Sequence, residues 1–413
     1  MTYYLLPRGN MNIYRDLSYR ESSDSTPIII SNSVAQYLYG MKENIDDKEK
    51  KWDTFKKYTN PCEYIHTMVP FKKKSVAKTK PISRSYFKMI ELLHIFPIFP
   101  VGVRSSMQTF HLAEAPGGFI EAIGRTRREL CPGNTDQYYG MTLLDKADTT
   151  VPTWKKGDFM HDFSGNILLE NGADGTGNIL SLDNFVDICS PESNKKYVGM
   201  MDIVTGDGGF DFSTDFNQQE IAIGKLLFAQ IAYAACLQKR GGSFVLKIFD
   251  SFMAHTIDLM YLLTTLYEKV YIVKPQTSRY ANSEKYLVCI GFLHENARIY
   301  PYFHACFRDM VLQEEENSCK KEIGRLLKIR PTFLFLQKME EYNAIYAQKQ
   351  MMNIQYTITL IESKNKHEKI ENLIQTNVQK STNWCIKYGV PYHTITFPTA
   401  TNVFMNDNNG SCT

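Results

Sequence analysis

The chain has 413 residues, 43% of them hydrophobic and 22% charged, with a formal net charge of +3. That length suits one large domain with accessory segments, or two to three domains of ordinary globular composition. A charge this close to balance excludes a strongly basic chain whose partner could be read from charge alone.

Nine cysteines are scattered, odd in number and without a CxxC, which fits reduced thiols in an intracellular protein rather than a disulfide framework or a zinc site. The N-terminal "MTYYLLPRGNMNIY" lacks the pattern of a signal peptide. No apolar run approaches the roughly 20 residues of a membrane span. "ELLHIFPIFPVGV" comes nearest and is cut by Pro97 and Pro100.

In chain order, residues 1–60 are mixed and polar, with "YRESSDSTP" expected as a loop, and are read as an N-terminal extension. The run "PFKKKSVAKTKPISRSYFK" gathers Lys72, Lys73, Lys74, Lys78, Lys80 and Arg84; the bland reading of such a run is a solvated face. From about 105 to 293 strands and helices alternate. "MQTFHLA" predicts a strand, "EAPGG" a loop and "FIEAIGRTRREL" a helix, with Arg125, Arg127 and Arg128 expected as solvent charges. "YYGMTLL" and "MDIVTGDGG" predict two more strands. "NQQEIAIGKLLFAQIAYAACLQKRGG" predicts one long amphipathic helix ending on Lys239 and Arg240, with Gly241 as its C-cap. "GGSFVLKIFD" predicts a strand, "HTIDLMYLLTTLYEK" a helix, and "VYIVKP" and "KYLVCIGFL" the final strands. The alternation predicts an α/β sheet with helices on both faces, spanning 61–295. Beyond 296 the expectation is a mostly helical accessory region to 413, with helices in "EIGRLLKIRPTFLFLQKMEEYNAIYAQKQ" and "HEKIENLIQTNVQKSTNWCIKYG".

Within this frame Lys247 stands out, because it interrupts the apolar run "SFVLKIF". A lysine is seldom buried unless paired or functional, and the bland reading is a head that snorkels to water. Gly117 and Gly118 sit where a strand meets a helix, a junction that lets backbone approach an anionic or polar ligand. Asp145, Asp207 and Lys247 all follow or end strands and so lie on the carboxyl edge of the sheet, where open α/β sheets bind ligands. Asp207 alone reads more readily as a turn aspartate before two glycines.

Four motifs in order, "LAEAPGGF", "DGG", "GGSFVLKIFD" and "SRYANSEKYLVC", resemble those of FtsJ-like ribose 2′-O-methyltransferases, and within that superfamily the mRNA cap 2′-O-methyltransferases. The resemblance covers about 84–293 and implies a Rossmann-like methyltransferase sheet, mostly parallel with its last strand antiparallel. It implies S-adenosylmethionine as cofactor and a Lys-Asp-Lys-Glu tetrad falling on Lys88, Asp207, Lys247 and Glu284. It places the cofactor along Ala115, Pro116, Gly117, Gly118 and Phe119, with Asp207 beside them and Asp145 on the ribose side. The acid expected near the adenine is replaced by Asn178, with Asp174 a nearby alternative. The implied reaction is attack of a ribose 2′-oxygen on the sulfonium methyl, for which Lys247 is the natural base or stabiliser of negative charge. No metal is implied.

Capped RNA as the partner implies aromatic and acidic groups for a cationic base. Phe210, Asp215 and Glu220 in "FDFSTDFNQQE" are the candidates, with Arg279 and the basic run 72–84 toward the RNA backbone. Two other readings stand beside this one: the same chemistry on uncapped ribosomal or transfer RNA, and an RNA-binding subunit of a transcription or polyadenylation complex. The cap reading brings an expected association with capping or transcription machinery, no membrane, and a cytoplasmic, nuclear or virion location.

Overall fold

The structure, a computed structural model, describes residues 3–397 except 11, 22–29, 101–105, 146–150, 155–157, 210–216, 317–322 and 365. Ten strands are present among them: β1 (Tyr3–Leu5), β2 (Leu17–Glu21), β3 (Gln108–Leu112), β4 (Gln137–Met141), β5 (Ile167–Glu170), β6 (Met201–Gly206), β7 (Gln238–Ile248), β8 (Tyr267–Val273), β9 (Lys285–Phe292) and β10 (Ile323–Leu327). The helices are α1 (Asn32–Glu43), α2 (Glu49–Tyr58), α3 (Ser85–Ile95), α4 (Gly118–Leu130), α5 (Asp158–Asp162), α6 (Leu182–Cys189), α7 (Gln219–Ala222), α8 (Gly224–Leu237), α9 (Ala254–Leu266), α10 (Asn296–Glu316), α11 (Phe333–Glu362) and α12 (Lys366–Lys387).

Eight strands form one sheet in the order β1-β8-β9-β7-β6-β3-β4-β5. Strands β3 to β8 run parallel; β9 enters between β7 and β8 in the opposite sense, and β1 closes the edge antiparallel to β8. This is the mostly parallel, Rossmann-like arrangement that the alternating pattern and the resemblance imply, with one further reversed strand supplied by the N-terminus. The central strands are apolar on both faces, as parallel strands covered on both sides must be. Phe110, Leu112, Phe244, Leu246 and Ile248 face the layer of α6, α8, α9 and α10. Ile203, Val245, Tyr286 and Val288 face the layer of α3, α4 and α12. The period of two along β7 therefore turns Lys247 toward the face of α3 and α4, next to Val245.

Several expected boundaries move. The long helix from Asn217 divides at Ile223 and ends at Leu237. Every residue of α8 except Lys225 is buried, so it is an enclosed helix rather than an amphipathic one. Lys239 and Arg240 belong to β7, where Lys239 pairs with Asp202, and Gly241 is a strand bulge at φ 83° rather than a helix cap. The pairing of β7 with β6 claims these residues before a last helical turn can form. Arg127 is buried and bidentate to Asp136 at 2.7 and 3.0 Å, contrary to its expected solvent role, while Arg125 and Arg128 stay nearer the surface. "IGRLL" is strand β10, not helix: it pairs with β2 from the N-terminal segment, a partner that no local pattern reveals. Among the described residues no helix is long and apolar enough to cross a membrane.

Terminal segments close around the sheet. Helix α11 packs on α1 and α2, and α12 lies against α2 and the turn Glu63–Ile65. β10 is pinned by Asp258 of α9, whose wholly buried carboxylate accepts from Arg325 Nε and Nη2 at 2.7 and 2.8 Å and from the Leu326 and Leu327 amides at 3.0 and 3.2 Å. Asp258→Ala strands a guanidinium and two amides at once. It should lower stability by about 3–5 kcal/mol, read as a drop in the denaturant midpoint at unchanged slope.

Candidate active site

Strand β6 delivers its carboxyl end to the centre of the sheet, and Asp207 follows it directly. The Asp207 amide still donates to Leu112 O of β3 at 3.3 Å, so the residue continues the sheet rather than entering a free turn. The glycines around it leave room rather than flexibility. A Cβ on Gly206 would lie 2.6 Å from Gln230 Oε1, and one on Gly208 would lie 2.9 Å from it. That same amide oxygen accepts the Gly208 N–H at 3.0 Å.

Lys247 on the neighbouring strand reaches across to this corner. Its ammonium donates to Asp207 O at 2.6 Å and lies 3.2 Å from Asp207 Oδ1. The antiparallel register sets Tyr286 directly opposite Lys247. The Tyr286 hydroxyl lies 3.0 Å from Glu284 Oε1 and 3.3 Å from Asp207 Oδ1, so a single proton serves either carboxylate. Lys88 comes down from α3 to meet Glu284 Oε1 at 2.6 Å. The four residues of the expected tetrad thus converge as two lysine–carboxylate pairs joined by Tyr286. Burial would raise the Glu284 carboxyl, but Lys88, Lys247 and Lys274 override it and hold the group at about 2. Burial first, then the two carboxylates, drives the Tyr286 phenol well above its ordinary range. Tyr286 is a member of the cluster that the motif reading did not single out; its signal is its place opposite Lys247 in the strand register.

The loop between β3 and α4 lies beside this cluster. Gly117 has φ 109°, a left-handed conformation that favours glycine. Gly118 is constrained differently: a Cβ there would fall 2.1 Å from Ser83 Oγ and 2.2 Å from Ser85 Oγ, where α4 starts against α3. Ala115 and Pro116 are partly exposed, whereas Phe119 turns into the core with its ring 6.0 Å from that of Tyr286. Glu114, also missed, is fully enclosed. Its Oε1 accepts the Phe119 amide, and its Oε2 has no hydrogen-bond partner among the described residues, with His111 Nδ1 at 3.6 Å. Burial, with Asp207 nearby, holds this carboxyl well above the carboxylate range. The enclosed His111 is driven down to about 3 by desolvation and sits between Thr109 and Thr205 hydroxyls at 2.8 and 2.7 Å.

Farther along the same edge, Asp145 is exposed after β4, and Leu144 N donates to Thr176 O at 2.7 Å, tying its segment to the loop 171–178. In that loop Asn178 Oδ1 accepts the Leu180 amide at 3.0 Å, and Asp174 Oδ1 accepts from Thr176 N and Oγ1 and from Asn184 Nδ2 at 2.8, 2.7 and 2.9 Å. Both side chains shape the loop. The Trp154 ring lies 2.8 Å from where a Cβ on Gly140 of β4 would stand and 3.5 Å from that of the loop glycine Gly117.

The basic residues divide into two sets. Arg84 and Arg279 grip the buried carboxylate of Glu63, Arg279 through two bonds of 3.0 and 2.7 Å and Arg84 at 3.2 Å, while Arg84 Nη2 also donates to Thr277 O at 2.9 Å. Burial raises the Glu63 carboxyl, but the Arg279 bonds and both guanidinium charges bring it to about 2. Lys72, Lys73, Lys74, Lys78 and Lys80 instead lie on the outer face, with Lys73, Lys74, Lys78 and Lys80 exposed. Their loop ends on Phe71, which is 99% exposed at φ 63°. A bare aromatic ring amid lysines is a feature that charge counting alone misses. Glu220 is far from an open binding loop: it is buried, its oxygens accept the Phe252 and Met253 amides at 3.0 and 2.8 Å, and burial with Asp250 raises it to about 7. Phe210 and Asp215 lie outside the described residues.

Residues 81–292 match the family model described as FtsJ-like methyltransferase. Among curated relatives, Cap-specific mRNA (nucleoside-2′-O-)-methyltransferase 1 of Trypanosoma brucei brucei is 32% identical over 208 residues, covering 49% of this chain and 53% of that protein. Cap-specific mRNA (nucleoside-2′-O-)-methyltransferase 2 of Pongo abelii is 28% identical over 348 residues, covering 81% of this chain and 42% of the relative. The type 1 protein of Dictyostelium discoideum is 32% identical over 249 residues, 58% of this chain and 31% of the relative. The chain spans about half the length, or less, of the curated relatives it matches.

The depressed Glu284 carboxyl has a consequence for acid stability. Its folded value of about 2 lies below its ordinary 4.5, so its contribution is complete above about 4.5 and is lost as pH falls toward 2. Glu284→Gln should therefore flatten the fall of unfolding free energy through that window, measured by denaturant titration at stepped pH. An unchanged slope would mean that the Lys88 pair does not hold in solution.

Proposed function

The chain belongs to the FtsJ-like methyltransferase family, and on that premise we propose that it transfers a methyl group from S-adenosylmethionine to the 2′-hydroxyl of a cap-proximal nucleotide of capped mRNA. The observation that carries this reading is the pairing of Lys247 with Asp207 and of Lys88 with Glu284 at the carboxyl edge of the sheet, beside the glycine loop. The relatives named for cap-specific methylation support capped RNA over other ribose acceptors.

The residues present fit the cofactor. The left-handed Gly117 keeps backbone open at the start of α4, the enclosed Glu114 leaves one oxygen without a hydrogen-bond partner among the described residues, and Asp145 and Asp207 edge the same face. In this reading Ala115, Pro116, Gly117 and Gly118 hold it, with Phe119 backing the loop from the core and Asn178 acting through the shape of its own loop. Bound there, S-adenosylmethionine supplies an electrophilic sulfonium methyl. Lys247 is the catalytic lysine. Asp207 holds Lys247 Nζ through two oxygens, so a 2′-hydroxyl placed against it meets a group already aimed: Nζ, in its uncharged form, takes the hydroxyl proton as the oxygen gains the methyl group, and Asp207 balances the ammonium that results. Lys88 adds a second positive group. Glu284 and Tyr286 fix Lys88 and Asp207 in place and balance the charge. Holding acceptor and donor in register is worth about 7–11 kcal/mol in general.

The RNA backbone is read as crossing the lysine run, with Phe71 stacking on an unpaired base. Arg84 and Arg279, fixed by Glu63, present the remaining positive edge toward the tetrad. Association with capping or transcription machinery, in nucleus, cytoplasm or virion, completes the reading.

Lys247→Ala should lower methyl transfer by about 10²-fold or more while S-adenosylmethionine and capped RNA still bind by calorimetry. Lys247→Arg should not rescue, since a planar guanidinium has another shape. Rates within a few-fold of the parent at saturating substrates would remove Lys247 from catalysis, and equal transfer to uncapped RNA of the same sequence would remove the cap from the substrate. Replacing Lys73 and Lys74 together should flatten the log–log salt dependence of RNA binding by about 0.7 per lost phosphate contact. Phe71→Ala should weaken RNA binding by about 1–3 kcal/mol at an unmoved melting temperature; undiminished affinity would return the ring to an incidental exposure.

A further inference from the structure

Behind Glu284 the β8–β9 connection and α11 enclose a cavity of about 290 Å³. Its volume stands at the lower end of small-molecule pockets, which run about 300–1,000 Å³. Three lysines line it, Lys274 from the connection, Lys285 from the start of β9 and Lys349 from α11, together with Tyr280, Tyr346 and Asn353.

The charge balance there is unusual for a protein interior. Lys285 is buried, and its partner Asp250 lies 3.9 Å away and is already engaged at 2.7 Å by the buried Lys42. One carboxylate therefore faces two ammonium groups. Lys274 forms no salt bridge among the described residues: it donates to Asn282 O and Oδ1 at 2.7 and 2.8 Å and to Glu284 O at 2.8 Å. Burial lowers Lys274 to about 7; Lys285 and Lys88 push in the same direction, against Glu284 and Asp250. A buried cation such as Lys285 that shares its carboxylate with another ammonium is costly, and an incoming anion relieves that cost. The remaining lining is suited to more than a bare anion. Tyr280 and Tyr346 bring rings, Lys285 already lies 5.7 Å from the Tyr346 ring centroid, and Asn353 carries an amide of the kind that matches a base edge.

We propose that this cavity binds a nucleotide, its phosphate against Lys274, Lys285 and Lys349 and its base against the tyrosines and Asn353. The inference goes beyond the proposed methyl transfer and does not depend on it. The site is separate from the tetrad yet joined to it by one residue: the Glu284 carboxylate faces Lys88, and the Glu284 carbonyl holds Lys274. The nucleotide has two sources, a residue of the bound RNA or a free nucleotide.

Adenosine 5′-monophosphate is titrated into the full chain by calorimetry, with S-adenosylhomocysteine saturating, and the titration is repeated on Lys349→Glu and Asn353→Asp, whose melting temperatures are checked against the parent. Binding to the parent that weakens by about ten-fold or more on introducing one opposing charge supports the site. Displacement of the nucleotide by a short single-stranded RNA assigns it to the RNA; its persistence in the presence of that RNA assigns it to a free nucleotide. No binding at millimolar concentration, equal binding to parent and both variants, or loss of binding when S-adenosylhomocysteine is added would each overturn the proposal. Methyl transfer by the parent, measured in parallel on capped RNA, reports on the proposed reaction alone, so failure of one is distinguishable from failure of the other.

Discussion

The pairing of Lys247 with Asp207 across the two central strands is the constraint on which the site depends. Strand β7 must be apolar to lie at the middle of a covered sheet, yet it carries an ammonium near its end. That charge is tolerated because the parallel register sets it against the carboxyl end of β6, where Asp207 offers both a carboxylate and a backbone carbonyl. The alternation of β7 then turns the ammonium to the face of α3, and Lys88 approaches from that side. Two like charges converge only because Glu284, just before the one antiparallel strand inside the sheet, and Tyr286 within it enter between them. The reversed β9 is thus as much part of the site as the parallel strands.

Helices α3 and α4 share a second constraint. Their first turns touch at Gly118, where Ser83 and Ser85 leave no space for a side chain. Lys88 sits one turn farther along α3, and the glycine loop feeds α4. The position of the tetrad lysine and that of the loop are therefore set by one contact. Glu63 extends this fixation outward by holding Arg84, just before α3, and Arg279, just before Glu284, on a single carboxylate. Two segments that each carry a tetrad residue are tied through it.

The terminal segments act as a brace rather than as appendages. β1 extends the sheet past β8, β2 pairs with β10, and α11 lies along α1 and over the β8–β9 connection. Tyr346 of α11 donates to Ile272 O of β8, and Gln350 donates to Ala281 O. The strand that bears Glu284 is in this way supported from outside the motif region, and the cavity is built at that support.

By itself the amino-acid sequence determined the alternating core and, through the resemblance of its motifs, the four residues expected to meet at one edge of the sheet. Apolar runs with a period of two, helix-length segments between them, and glycines at the strand ends act locally, and strand ends in such a sheet converge on one edge by geometry. Lys88, Asp207, Lys247 and Glu284 were legible because their neighbours follow a pattern in chain order. Tertiary structure alone decided what depends on distant partners. Whether "IGRLL" is helix or strand rests on β2; whether Arg127 meets water rests on Asp136; whether Lys239 ends a helix rests on the edge that β6 offers. Glu220 reads as an exposed acid next to aromatics, yet the start of α9 draws its carboxylate inward, since two amides there need an acceptor. Phe71 reads as one more apolar residue, and only the turn that carries it outward exposes the ring. Lys349 lies far along the chain from Lys274 and Lys285, and the three line one cavity only once α11 has packed against the β8–β9 connection.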